Sequence, residues 1–243
     1  MKRIILFFLL IVPLVTGIDA RTFVLITGVS NYGSENINLH QTTKDAKRFK
    51  AVMETQTKDI TLLTSRYANK ANILEKLSAI CNRAQKGDRI IFFFSGHGMP
   101  GAICTYDYTI TYEELVDKLA ESSAGEKICF IDACHAGTMA DAVPAQRRYS
   151  WAKAVTENRN QAFFVSCRAD EYSMESAFVG QGYFTQALLK GIRGKSDEDS
   201  NRKVTVIELF KYIYNDVTYR TKGKQHPQLI APKTMYDSVV AVW

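Results

Sequence analysis

Short apolar runs alternate along the chain with longer segments in which apolar residues recur at helical spacing. The apolar runs predict strands at residues 22–28, 59–63, 89–94, 127–131 and 161–166. The amphipathic segments predict helices at residues 45–54, 72–85, 111–121, 183–192 and 204–219. Residues 227–230 and 238–242 predict one or two further strands. Strands that alternate with helices in this order predict an α/β fold, in which a mostly parallel central sheet carries helices on both faces.

Two of the predicted strands end in reactive side chains. The run that ends at Phe94 leads into Ser95-Gly96-His97-Gly98, and the run that ends at Ile131 leads into Asp132-Ala133-Cys134-His135. Parallel strands present the groups that follow them at the same edge of a sheet. We therefore expect the imidazole of His97 and the thiol of Cys134 to lie side by side as a dyad. His135 is less suited to act as the base, because adjacent residues that leave a strand point apart.

Peptide hydrolysis by a thiol needs a thiolate, an acid for the leaving amine and donors for the oxyanion. Cys134 supplies the sulfur, and His97 can promote the thiolate and then donate the proton. The backbone N–H groups of Gly98 and Cys134 are the candidate oxyanion donors. The motif therefore predicts that the chain is a cysteine peptidase.

The composition fits a single α/β domain and gives no indication of a nucleic-acid partner. The chain has 243 residues, of which 46% are hydrophobic and 23% are charged. Its net charge of +6 is spread along the sequence, with no Lys/Arg run longer than two residues. The five cysteines are odd in number and show no paired spacing, which predicts at least one thiol outside any disulfide.

The N-terminus has the pattern of a secretory signal peptide. Lys2-Arg3 precedes an apolar stretch at 4–15, and small residues follow it. This stretch of about 12 residues is interrupted by Pro13 and is shorter than the roughly 20 residues that a membrane-spanning helix needs. We therefore expect residues 1–20 to be removed, and the protein to be secreted or periplasmic without a stable membrane anchor.

Several segments, in a fixed order along the chain, carry a family resemblance. They are Gly28 with Asn31-Tyr32, Lys44-Asp45-Ala46, Ser95-Gly96-His97-Gly98, Asp132-Ala133-Cys134-His135-Ala136-Gly137, the stretch 166–176 and Gly182-Tyr183-Phe184-Thr185. With these segments the chain resembles the caspase-like cysteine peptidases. Within this group it is more similar to metacaspases than to animal caspases. Among the metacaspases it most resembles the bacterial ones. The similarity covers most of the chain after residue 20.

This resemblance implies an architecture and an assembly state. The fold would be a caspase-like three-layer sandwich, with a single peptidase domain over residues 21–243. Residues 21–146 would be its large-subunit-like part, and residues from about 160 to 243 its small-subunit-like part. Metacaspases are generally monomeric, so we expect a monomer.

The resemblance also implies an acidic pocket that binds Arg or Lys before the cut bond, and it assigns this pocket to Asp45, Ser95, Asp132 and Asp141. A carboxylate two residues before the nucleophile suits a cationic side chain, which can be held bidentately. The alternative for Asp45 is a structural role, in which it caps or begins the helix that follows it. Arg168 is a basic residue that would favour acidic substrates if it lay near the pocket. Specificity for Asp before the cut bond is therefore an alternative. A non-catalytic binding protein related to caspases is the alternative from another class.

The stretch 136–160 has little periodicity and predicts a long exposed loop. It contains Arg147-Arg148. An enzyme that cuts after basic residues would be able to cut here, so we expect activation by self-cleavage at Arg147 or Arg148.

Many metacaspases use calcium held by acidic residues after the His block. Between residues 99 and 112 the only acidic residue of this chain is Asp107, whereas calcium takes six to eight oxygen ligands. We therefore expect no metal site, no required cofactor and no strict requirement for calcium.

Overall fold

The computed structural model describes residues 20–33, 38–134, 160–168, 171, 173–176 and 181–243. In chain order its strands are β1 (Thr22–Gly28), β2 (Ile60–Thr64), β3 (Arg89–Ser95), β4 (Gly98–Met99), β5 (Ala102–Cys104), β6 (Thr109–Thr111), β7 (Glu126–Asp132), β8 (Gln161–Val165), β9 (Glu175–Ser176), β10 (Gln181–Gly182), β11 (Lys203–Thr205), β12 (Gln228–Ile230) and β13 (Val239–Val242). The α-helices are α1 (Thr42–Met53), α2 (Lys70–Arg83), α3 (Tyr112–Ala120), α4 (Tyr183–Lys190) and α5 (Val206–Arg220).

A central sheet of six strands organises the described residues. Its order is β12-β8-β7-β3-β1-β2, and the strands are parallel except for β12, which runs antiparallel to β8. The chain places β2 on one side of β1 and β3 on the other, so the direction of winding reverses between β1 and β3. Ligands of such sheets bind beyond the carboxyl ends of the strands near this switch point.

Both faces of the sheet are buried, which explains why its strands are almost wholly apolar. In β3, Phe92 and Phe94 belong to the core that packs under α2 and α3. Phe93 points to the opposite face and stacks on Phe49 of α1, with ring centroids 4.4 Å apart, in the core shared with α4 and α5. The predicted three-layer, mostly parallel α/β sandwich is therefore confirmed.

The predicted helices and central strands agree with the structure to within three residues at their ends. The largest difference is at α1, which begins at Thr42 and not at Asp45. Tertiary contacts extend this helix, because the Thr42 hydroxyl donates to the carbonyl of Val29 at 2.7 Å and also bonds the Ser30 hydroxyl. Both predicted tail strands are present, with β12 at the edge of the central sheet and β13 paired to β11.

A small antiparallel sheet of β4, β5 and β6 follows the His block and was not predicted. Its strands have two or three residues, which is too short for a period-2 pattern to show. It leads directly into α3, whose predicted N-terminus is confirmed. There the Thr111 hydroxyl accepts the N–H of Glu114, and the Glu114 carboxylate accepts the N–H of Thr111.

None of the helices in the described ranges is long and apolar enough to cross a bilayer.

Candidate active site

The two predicted reactive segments leave neighbouring strands at the same level. In the register of β3 with β7, Ser95 lies opposite Asp132. The pairing continues one residue further, because the N–H of Gly96 donates to the carbonyl of Asp132 at 3.2 Å. Gly98 then packs against the backbone of Cys134 so closely that a Cβ at residue 98 would overlap the Cys134 carbonyl oxygen. Only glycine fits there, and the His and Cys segments are in direct contact.

A cavity of about 90 Å³ opens at this edge of the sheet. It is lined by Leu39, Thr42, Asp45, Ser95, Gly96, His97, Asp132, Cys134, Ser173 and Gly182. The structure thus brings both predicted catalytic side chains together with three of the four predicted pocket residues. The cavity lies where a doubly wound sheet is expected to bind its ligand.

The Asp132 carboxylate lies in the wall of the cavity and is 6% exposed. One of its oxygens accepts the Ser173 hydroxyl at 2.5 Å, and the other accepts the Thr185 hydroxyl at 2.6 Å and the Thr185 N–H at 3.3 Å. Burial raises the pKa of the Asp132 carboxyl, although these hydrogen bonds oppose that shift. These three donors from the described part of the chain are uncharged, so they orient the carboxylate without neutralising it.

Asp45 places a second buried carboxylate beside the first. It is 1% exposed, its Oδ2 accepts the N–H of Gly182 at 3.2 Å, and its Oδ1 lies 3.7 Å from the Arg48 guanidinium. A Cβ at residue 182 would lie 2.8 Å from an Asp132 oxygen and 3.5 Å from an Asp45 oxygen. Glycine at this position therefore allows the two carboxylates to approach from either side and form an acidic wall.

Three residues of this wall were missed by sequence reasoning, namely Ser173, Gly182 and Thr185. All three follow residue 160, and the packing of β10 and α4 beside α1 brings Gly182 and Thr185 to the β7 edge. The local sequence carries no signal for their contacts with Asp132, apart from the family-like stretch in which they lie.

His97 is held through its backbone on both sides. Its N–H donates to the Tyr32 hydroxyl at 2.7 Å, and its carbonyl accepts the N–H of Cys104 at 2.9 Å. The Tyr32 ring also packs against the imidazole, with centroids 4.7 Å apart. Tyr32 was noted in the sequence only as part of a family-like segment.

Cys134 differs from the other cysteines in its surroundings. All five lie in the described residues, and no disulfide joins any of them. Cys81, Cys129 and Cys167 are buried, and burial raises the pKa of Cys129 well above its ordinary value. Cys104 is half-buried like Cys134 but does not line the cavity, and burial raises its pKa also. Cys134 is the cysteine in the cavity wall.

Arg168 and the described histidines other than His97 lie outside the described lining of the cavity. Arg168, which left Asp specificity open, is an ion-pair partner of Glu171 at 4.0 Å and is absent from the described lining. His226 is half-buried, and its Nδ1 lies 2.6 Å from the Glu171 carboxylate. His40 is exposed.

Several predictions concern residues outside the described ranges. They are the signal peptide, apart from Ala20, and His135, Asp141, Arg147 and Arg148. These stay predictions from the sequence.

Among the described residues, the acidic group that could hold a cation lies outside the cavity. Oxygens of Asp197, Asp199 and Glu208 lie within 4.8 Å of one another. With Asn201 they follow the order of positions 1, 3, 5 and 12 of an EF-hand loop, but Arg202 stands where glycine is usual. The Asp197 and Glu208 carboxylates accept backbone N–H groups of the protein.

Comparison with known proteins identifies the family. A family model described as Caspase domain (Peptidase C14) matches residues 21–236. The chain therefore belongs to the caspase-domain peptidases, as its motifs predicted, and family membership implies cysteine-peptidase chemistry on protein substrates.

A solved structure with a similar fold is that of protein GSU0716 from Geobacter sulfurreducens. It superposes with a TM-score of 0.65 at 16% sequence identity, over 91% of this chain and 99% of that one. At this identity the similarity concerns the fold alone. No curated protein matches the sequence.

Proposed function

We propose that this protein is a secreted or periplasmic cysteine endopeptidase that hydrolyses peptide bonds after Arg or Lys. The observation that carries the proposal is that His97, Cys134 and two buried carboxylates, those of Asp45 and Asp132, line one cavity. The first pair supplies nucleophilic and acid–base chemistry, and the second pair suits a cationic side chain.

In the proposed reaction, the Cys134 sulfur attacks the carbonyl carbon of the scissile bond while His97 takes up the thiol proton. His97 then protonates the leaving nitrogen, so that the C–N bond breaks and a thioester remains on Cys134. Water attacks the thioester and passes a proton to His97, which returns it to the sulfur as the new carboxylic acid leaves. The backbone N–H groups of Gly98 and Cys134 stabilise the oxyanion in both tetrahedral intermediates.

Charge in the cavity favours a basic residue before the cut bond. Asp132 is oriented by uncharged donors and lies next to Asp45, which concentrates negative charge on one wall. An Arg or Lys side chain entering the cavity would pair with this wall, and a guanidinium could bind a carboxylate bidentately. An Asp side chain would bring a third anionic group to the same place, which like-charge repulsion disfavours. The position of Arg168 outside the described lining argues in the same direction.

We propose self-cleavage at Arg147 or Arg148 as the activating step, because the same specificity would act on these two basic residues of the enzyme's own chain. Mass spectrometry of the wild type beside Cys134→Ala tests this step. A nick in the wild type that is absent from the variant supports it, and the same nick in both means that another protease is responsible.

We also propose that residues 21–243 act as one monomeric peptidase domain without a required metal. Asp107 is the acidic residue nearest to the His block on its C-terminal side. Its Oδ1 accepts the N–H of Lys70 and the Thr105 hydroxyl, which suits a structural role. Activity that is lost with a chelator and restored by calcium would show that the metal is needed.

The experiment that tests the function compares fluorogenic peptides ending in Arg, Lys or Asp. Each is incubated with the wild type, with Cys134→Ala and with Cys104→Ala, which removes the half-buried thiol that does not line the cavity. We expect turnover of the Arg and Lys peptides by the wild type and by Cys104→Ala, and none by Cys134→Ala. Turnover of the Asp peptide alone would establish Asp specificity. No turnover of any peptide would favour the non-catalytic binding protein.

A further inference from the structure

We propose that Tyr32 is a positioning residue for His97, holding the imidazole at the angle and depth that acid–base exchange with Cys134 requires. The inference rests on the proposed role of His97 and adds a residue from a different strand to the site. Tyr32 lies just after β1, whereas His97 follows β3, the strand paired with β1.

The Tyr32 hydroxyl fixes the backbone of His97. It accepts the His97 N–H at 2.7 Å and donates to the carbonyl of Cys104 at 3.2 Å. The N–H of Cys104 in turn donates to the His97 carbonyl at 2.9 Å. Three residues thus form a closed set of hydrogen bonds in which both polar backbone groups of His97 have a partner.

The Tyr32 ring acts on the imidazole itself. The two ring centroids are 4.7 Å apart and the planes are tilted by 46°, so the phenol covers one side of the imidazole and restricts its rotation. This approach depends on glycine at residue 96, because a Cβ there would lie 2.7 Å from the Tyr32 oxygen and 2.7 Å from the Phe94 ring. The Ser95-Gly96-His97-Gly98 motif therefore makes room for Tyr32 as well as for substrate.

Tyr32 is well anchored for this role. Its ring packs against the hydrophobic core under α2 and α3, and its N–H donates to the Asn38 side chain at 2.8 Å. Burial raises the pKa of the Tyr32 phenol well above its ordinary value. The hydroxyl thus stays protonated at neutral pH and continues to donate to Cys104.

The effect of losing this contact should be kinetic, since a misplacement of about 1 Å in a catalytic group can cost roughly 100-fold in rate. Tyr32→Phe removes the hydroxyl and keeps the ring. We expect kcat on an Arg peptide to fall about ten- to one-hundred-fold, while KM changes by less than about twofold because the acidic wall is untouched.

Tyr112→Phe is the matched control. Tyr112 is buried at 1% exposure, whereas Tyr32 is partly buried, and the Tyr112 hydroxyl makes no hydrogen bond with the described residues. This variant removes a buried phenol oxygen that does not touch His97, so kcat and KM should match those of the wild type.

The deciding readout is the pH dependence of Cys134 alkylation by iodoacetamide, followed by peptide mapping in all three proteins. A correctly placed imidazolium favours the thiolate. In Tyr32→Phe the alkylation profile of Cys134 should therefore move to higher pH, while Tyr112→Phe follows the wild type. An unchanged profile in Tyr32→Phe, or an equal change in both variants, would overturn the proposal. Alkylation does not need peptide turnover, so a wild type that cleaves nothing would overturn the proposed function while this test still decides the role of Tyr32.

Discussion

Two buried aspartates lie at opposite ends of the central sheet and differ in the groups that hydrogen-bond to their carboxylates. Asp88, at 3% exposure, directly precedes β3 at the amino end. Its carboxylate accepts a hydrogen bond from the Arg21 guanidinium at 2.7 Å. It also accepts the backbone N–H groups of Arg21 and Gln85, each at 2.9 Å. The Arg21 hydrogen bond is the main reason that the pKa of Asp88 is lowered to about 2.

Asp132 ends β7 at the carboxyl end of the sheet and is nearly as buried, at 6% exposure. Among the described residues its donors are the Ser173 hydroxyl and two groups of Thr185, and burial raises the pKa of this carboxyl. The charge of Asp88 is thus neutralised by the chain's own cation, whereas that of Asp132 is oriented toward a cavity. The first arrangement stabilises the fold, and the second leaves a carboxylate at the cavity where the proposed function requires a cationic side chain to bind.

The largest effect should come from Asp132→Asn. Removing one partner of a buried charge pair costs about 2–5 kcal/mol, so kcat/KM on Arg peptides should fall roughly 30- to 4,000-fold. The melting temperature should be unchanged or higher, because ionising this buried carboxyl opposes folding. Steady-state kinetics and thermal unfolding of the same samples measure both. Full activity with a lowered melting temperature would reverse the roles that we assign to the two aspartates.

Asp88→Asn should have the complementary result. Hydrogen bonds to charged groups contribute about 1.5–3 kcal/mol, so the free energy of unfolding should fall by about 2 kcal/mol while kcat/KM stays constant. Asp59→Asn is the control, because Asp59 pairs with Arg83 at 3.3 Å on the surface. Such exposed pairs contribute only about 0–1 kcal/mol. Chemical denaturation of the three proteins gives the comparison, and equal losses in both variants would remove the special status of Asp88.

A smaller effect should appear in the pH dependence of stability. The pKa of Asp88 is lowered in the folded protein, so its stabilisation is complete above the ordinary carboxyl pKa and is lost as the pH falls through about 2. The stability difference between wild type and Asp88→Asn should therefore shrink on acidification. For Asp132 the sign is opposite, because a raised pKa makes folding more favourable as its carboxyl becomes protonated. Denaturation at several pH values tests both, and a difference for Asp88→Asn that grows in acid would contradict this account.

The sequence predicted the parts of the molecule that local patterns determine. β3 could be located because both of its faces are buried, which makes the run apolar throughout, and the start of α3 could be located from its capping box. His97 and Cys134 could be placed at one edge because the parallel-sheet rule depends on strand order alone.

The remainder depends on contacts between distant segments. Ser173, Gly182 and Thr185 complete the acidic wall from more than 40 positions beyond Asp132. The early start of α1 likewise depends on hydrogen bonds between Thr42 and the two residues that follow β1. No periodicity in the sequence encodes these contacts.

The most direct test of the whole account is affinity labelling followed by peptide mapping. A peptidyl chloromethyl ketone ending in Arg is incubated with the folded protein, beside the same reagent ending in Asp. The account predicts that the Arg reagent alkylates Cys134 alone among the five cysteines, and that Asp132→Asn slows this labelling sharply. Labelling of another cysteine, or faster labelling of Cys134 by the Asp reagent, would contradict it.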